Sequence, residues 1–161
     1  MAIQATYQAT MSRALPGQVS DTSAYNIDGA CVLDGTDGQV SVDHILVGVA
    51  VQHNGVDSMG NKKVKPMASG GKAYGVAIRS HFQTTSVDGR MVYEVGGGIN
   101  VMTKGRVWMV AAGEVNASFG DQINLDDNGQ VASAGEVTTN WIATGDNTKF
   151  GDIFLVEVQV Q

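Results

Sequence analysis

One cysteine, two prolines and ten aromatic residues are all that this 161-residue sequence contains of those types. A single thiol, Cys31, cannot close an internal disulfide, so nothing points to an oxidising compartment. Charged residues make up only 16% of the chain, below the roughly 25% of ordinary soluble domains, which argues against disorder driven by self-repulsion. Basic residues are scarcer than acidic ones, 10 against 16, for a formal charge of −6. Such a chain cannot easily assemble the basic face that neutralises phosphates, so no nucleic-acid partner is expected. Long apolar runs are missing too; the longest, Ile45 to Val51, includes Gly48. Met1 to Gly17 has no continuous apolar stretch, so neither a signal peptide nor a membrane span is expected. Leucine is also rare, with 5 residues against 22 valines and 8 isoleucines, a balance that favours sheet over helix.

What the sequence does hold in quantity is glycine, 21 residues, much of it in Asx-Gly pairs. These stand at Asp28-Gly29, Asp34-Gly35, Asp37-Gly38, Asn54-Gly55, Asp88-Gly89 and Asn128-Gly129. Both residue types tolerate the positive φ of a tight hairpin turn, so the spacing predicts a meander or Greek-key sheet. Strand-like runs lie between them at 39–42, 45–52, 72–79, 91–95, 100–111, 121–125, 130–132 and 152–160. The expected fold is all-β, a jelly-roll-like sandwich or barrel with an extended N-terminal arm. In the last run, alternation from Val156 to Gln161 predicts one buried face and one presenting Glu157, Gln159 and Gln161. Phe119-Gly120-Asp121 and Phe150-Gly151-Asp152 each place an aromatic anchor and a Gly-Asp turn before a strand. Residues 16–37 are rich in turn formers and are expected to hold no long element. The organisation read from this is an arm over 1–17 and one β domain over 18–161. Ile3, Tyr7, Met11 and Leu15 recur every four residues, which suits either an arm that orders against another surface or a short docked helix.

Reactive patterns fail one after another. His44, His53 and His81 are scattered, with no nearby carboxylate or cysteine at metal-ligand spacing. Ser58 and Ser69 do not sit in a Gly-x-Ser-x-Gly elbow. Gly71-Lys72 is followed by Ala73, and the residue five positions before Gly71 is Pro66, so no phosphate loop forms there. Asn124, Asp126, Asn128 and Gly129 follow the start of a calcium loop, but its last ligand position is Gly135, and a hairpin is the simpler reading. Cys31, among Ala30, Val32 and Leu33, reads as a buried thiol, and Trp108 as core. No enzyme, cofactor or metal is expected. The one local charge anomaly is Lys62, Lys63 and Lys65, expected on a loop between Asn61 and Pro66, where it offers a basic contact for carboxylates on a protein partner.

The order of features is more telling than any one motif. Gln4-Ala5-Thr6-Tyr7 through Ser12-Arg13-Ala14-Leu15-Pro16-Gly17, then Tyr74-Gly75-Val76-Ala77-Ile78-Arg79, Lys104-Gly105-Arg106-Val107-Trp108 and Gly120-Asp121-Gln122-Ile123 resemble the structural cement, or capsid decoration, proteins of tailed bacteriophages. The resemblance implies a jelly-roll or similar β-barrel that binds outside the major capsid protein shell, joins neighbouring capsomers and self-associates as dimers or trimers. It also implies residence on the outer capsid surface of the virion, and in the host cytoplasm during assembly. Tyr7, Met11, Arg13 and Leu15 of the arm and Lys62, Lys63 and Lys65 are the candidate contacts. The competing class is a ligand- or carbohydrate-binding β-domain of a phage tail or particle surface, which would need an exposed aromatic platform or a polar cleft.

Overall fold

The computed structural model describes residues 13–22, 24–35, 44–81 and 83–161. Among the described residues every regular element is a strand: β1 Asn26–Leu33, β2 His44–Leu46, β3 Ala50–Val56, β4 Lys62–Pro66, β5 Ala73–Ala77, β6 Thr84–Thr85, β7 Met91–Glu94, β8 Gly98–Val110, β9 Gln122–Leu125, β10 Val137–Phe150 and β11 Ile153–Val160. No helix in that range is long and apolar enough to cross a membrane.

Five strands close into a barrel in the order β1-β4-β3-β5-β8, sealed by the antiparallel pairing of β8 with β1. The β1–β4 contact is parallel, aligning Cys31, Val32 and Leu33 with Lys62, Lys63 and Val64. β8 is long enough to serve two sheets. It pairs with β1 as far as Lys104, and with β11 from Gly105 to Val110. β11, β10 and β9 continue that second sheet. Val131 bridges both Ala111 and Leu125, so the far end of the sheet curls back toward β8. A small sheet, β2-β7-β6, lies beside them.

Alternation along β8 feeds two cores. Val107 and Met109 enter one with Met102, Leu125 and Trp141; Trp108 and Val110 enter the other with Leu33, Tyr93 and Ile99. Full burial of each such side chain contributes about 1.5–3 kcal/mol. Because β11 also has both faces covered, Glu157 is buried at 8% exposure, contrary to the solvent face expected for it. Its carboxylate accepts a hydrogen bond from the Thr144 hydroxyl.

Three further expectations need correction. Lys62, Lys63 and Lys65 lie on β4, not on a loop; the turn before it is Asp57 to Asn61, where the Asp57 carboxylate accepts from the Met59 and Asn61 amides. Residues 16–37 contain β1, an eight-residue strand. Asp28-Gly29 and Asn54-Gly55 fall at register shifts within β1 and β3 instead of forming hairpin turns, while Asp88-Gly89 and Asn128-Gly129 do turn the chain. The pair at 37–38, the run at 39–42 and the four-residue stripe of the arm, apart from Leu15, lie outside the described residues.

Candidate interaction surface

The chain enters the domain through a clamp. Ala14 is buried, and residues 17–20 run antiparallel to β8: the Gly17 amide donates to the Trp108 carbonyl at 2.8 Å, Ser20 to Arg106 at 2.9 Å, and Trp108 back to Gln18 at 3.0 Å. On its other side the Gly17 carbonyl accepts from the Arg79 amide at 2.9 Å. Gly17 has φ +68, and a Cβ there would lie 2.3 Å from Cγ1 of Val47, so only glycine fits without displacement. Leu15 is half-buried, its amide donating to the Gln18 side chain at 3.0 Å. Arg13 is exposed and faces Asp146 at 3.9 Å. Tyr7 and Met11 lie outside the described residues.

Beside this clamp opens a groove of about 310 Å³, whose lining includes Leu15, Leu46, Met91, Phe150 and Ile153. Met91 and Phe150 remain 38% and 40% exposed. The lining carries two guanidinium groups, Arg79 and Arg90, and no carboxylate. Arg79 donates to the thioether of Met91 at 3.1 Å and pairs with no carboxylate among the described residues. The same sulfur also accepts from the Gln83 amide at 2.7 Å. Arg90 meets Asp88 at 3.5 Å, where both side chains are solvated.

The lysines of β4 are elsewhere and differently engaged. Lys62 Nζ lies 2.7 Å from Asp28 Oδ2, and the Tyr74 hydroxyl donates to the same oxygen at 2.8 Å. The Asp28 side chain is only 9% exposed. Burial pushes its carboxyl up, but the hydrogen bonds from Lys62, Tyr74 and the Ala30 amide outweigh that and hold it below its ordinary range. Tyr74 is pushed up to about 12 by burial and by the Asp28 hydrogen bond and charge. Cys31, buried beside this group, is pushed up to about 11, first by burial and then by the Asp28 charge, so it is no nucleophile at neutral pH. Lys63 pairs with Asp34, and Lys65 stands opposite Gln52 on β3 with an interaction of its own. The structure therefore joins Leu15 to the groove and leaves Lys62 and Lys63 on the β1–β4 seam and Lys65 opposite β3.

Residues with the look of chemistry are separated. Among the described residues no three of His, Cys, Asp and Glu converge as a metal site. His44 stands opposite Glu94 in the small sheet, and His53 meets Tyr74 edge-on at 5.9 Å between ring centres. Asp126 accepts from the Asn128 and Gln130 amides, closing the hairpin that resembled a calcium loop. Sequence reading passed over the exposed apolar groups at or beside strand turns, Val56 at the end of β3, Met59 before β4 and Val87 before β7. Their only sequence signal is an apolar residue inside or next to a turn. Arg79 and Met91 were also missed, because nothing in their spacing announces that the segment after β5 and strand β7 come together.

The family model described as structural cement protein matches residues 3–160. A chain of a solved structure, "The capsid of Myoviridae Phage XM1", is similar in fold, with a TM-score of 0.55 at 16% identity, covering 100% of this chain and 98% of that one. No curated protein matches the chain.

Proposed function

The chain belongs to the structural cement protein family, structural proteins of the virion that stabilise the capsid, and on that premise we propose how it acts. It binds capsid proteins from the outer surface of the shell and bridges neighbouring capsomers. It self-associates as a dimer or trimer, and resides in the host cytoplasm during assembly. It has no catalytic activity, no cofactor, and neither nucleic acid nor membrane as a partner. The arm, with Tyr7, Met11, Arg13 and Leu15, orders on the capsid, and Lys62, Lys63 and Lys65 of β4 offer a basic contact for carboxylates there.

The observation that carries this reading is the family match across nearly the whole chain. The architecture supports it physically. A clasp needs a rigid body and many modest contacts, and a closed barrel fused to a second sheet, with two packed cores, supplies the first. Repetition over a symmetric shell supplies the second, because one oligomer that engages several sites holds far more durably than each contact alone. Whatever binds only the assembled shell stabilises it by mass action. Particles stripped of this protein should therefore release their DNA at a lower temperature than complete ones. Identical release from both would refute the cement role.

A further inference from the structure

We propose that the groove beside the arm clamp is a docking site for an extended capsid-protein segment, one that inserts apolar side chains and sets an Asp or Glu against Arg79. The proposal rests on the cement reading and names the contact through which it works. Charge selects the occupant. On a molecule of net charge −6, this groove combines an apolar floor with two guanidinium groups and no acid. Arg79 is a strong, forked donor held against a thioether, a weak acceptor that a carboxylate readily displaces. The solvated contact of Arg90 with Asp88 contributes little and yields easily to a competing acid. The chain's own residues 1–12 contain no Asp or Glu, so they offer no carboxylate to the charged rim.

The groove is also built to hold its shape. Its arm wall is clamped through Gly17 to both Arg79 and Trp108, and the amide of Val47 donates to the Met91 carbonyl at 3.1 Å, tying the turn after β2 to β7. Little ordering is therefore left for the moment of binding, which favours affinity. Met91 supplies an adaptable apolar contact and Phe150 a rigid one.

The test is equilibrium cosedimentation of the full-length protein with capsids lacking it, comparing wild type, Arg79→Gln, Arg79→Glu, Phe150→Asp and the control Lys104→Glu. Lys104 lies outside the groove lining, so its reversal changes net charge alone. Thermal melting identifies any variant that fails to fold, and Arg79→Gln keeps an aliphatic stem and a polar donor while removing the charge. The expected result is a tenfold or greater loss of affinity for Arg79→Glu and Phe150→Asp, a smaller loss for Arg79→Gln, and no more than about a twofold change for Lys104→Glu. Wild-type affinity in folded groove variants overturns the docking proposal while leaving the cement reading intact. Failure of the wild type itself to bind overturns both. A photocrosslinker placed at Met91 should capture a capsid peptide containing Asp or Glu; capture of this same chain means that a second copy fills the groove, and overturns the proposal.

Discussion

Two basic regions of this molecule look alike in composition and differ in what their charges are attached to. On the β1–β4 seam, Lys62 and Lys63 meet the well-covered carboxylates of Asp28 and Asp34, so their charge stitches the barrel. An incoming carboxylate must compete with those partners. At the arm groove, Arg79 rests on a sulfur and Arg90 on one solvated acid, so the same sign of charge faces outward. Clustering in sequence is therefore a poor guide to availability. The three lysines within four positions are drawn together by strand β4, whereas the two arginines are eleven residues apart, one after β5 and one before β7, and reach the same groove only through the fold.

The largest effect that separates the regions should come from Gly17→Ala. Positive φ and a 2.3 Å overlap with Val47 act together, for a loss of about 3 kcal/mol in denaturant unfolding. A loss below about 1 kcal/mol would mean the clamp is soft. Next is Asp28→Ala, which leaves the Tyr74 hydroxyl and Lys62 without their shared acceptor and should cost about 2 kcal/mol. Arg79→Gln should leave unfolding nearly unchanged, since it removes only a hydrogen bond to sulfur. Equal losses for the two would erase the distinction between seam and groove.

The seam should also respond to pH. Asp28 has a folded pKa below its ordinary value, so its contribution is present above about pH 4 and lost as pH falls through that lower folded value. Cys31 is raised from 9.0 to about 11, so the stability of its neutral thiol is present below pH 9 and lost as pH climbs toward 11. Unfolding midpoints measured from pH 8 to 11 should fall, and a Cys31→Ala variant should flatten that fall. Gly55→Ala should cost about 1 kcal/mol, less than Gly17→Ala, because φ is +74 but nothing lies within 4 Å of the added Cβ. Comparing it with Gly17→Ala isolates the packing part of the larger loss.

How much of this was legible in the sequence depended on whether local signals and tertiary roles agreed. β8 and β11 were visible because stretches rich in valine, isoleucine and methionine read as strands, β11 also by its alternation from Val156. β10, the longest strand, was missed: Thr138, Asn140 and the Gly145-Asp146 step read as loop, although Val137, Thr139, Trp141 and Ala143 alternate inward. β1 was hidden by Asp28-Gly29, where the glycine accompanies a register shift and the aspartate serves a partner strand. β4 offered a single apolar residue, Val64, because its lysines are matched by acids distant in sequence. The candidate site divided in the same way. Leu15 was visible as part of an apolar stripe, but the arginine rim was not, because long-range pairing leaves no local mark.

The most direct test of the clasp is a cryo-electron map of the complete particle. The account predicts this barrel on the outer face of the shell, touching two neighbouring capsid subunits, with an acidic, apolar capsid segment lying in the groove against Arg79. A map that shows the protein bound to one subunit alone, or attached only to the tail, would contradict it.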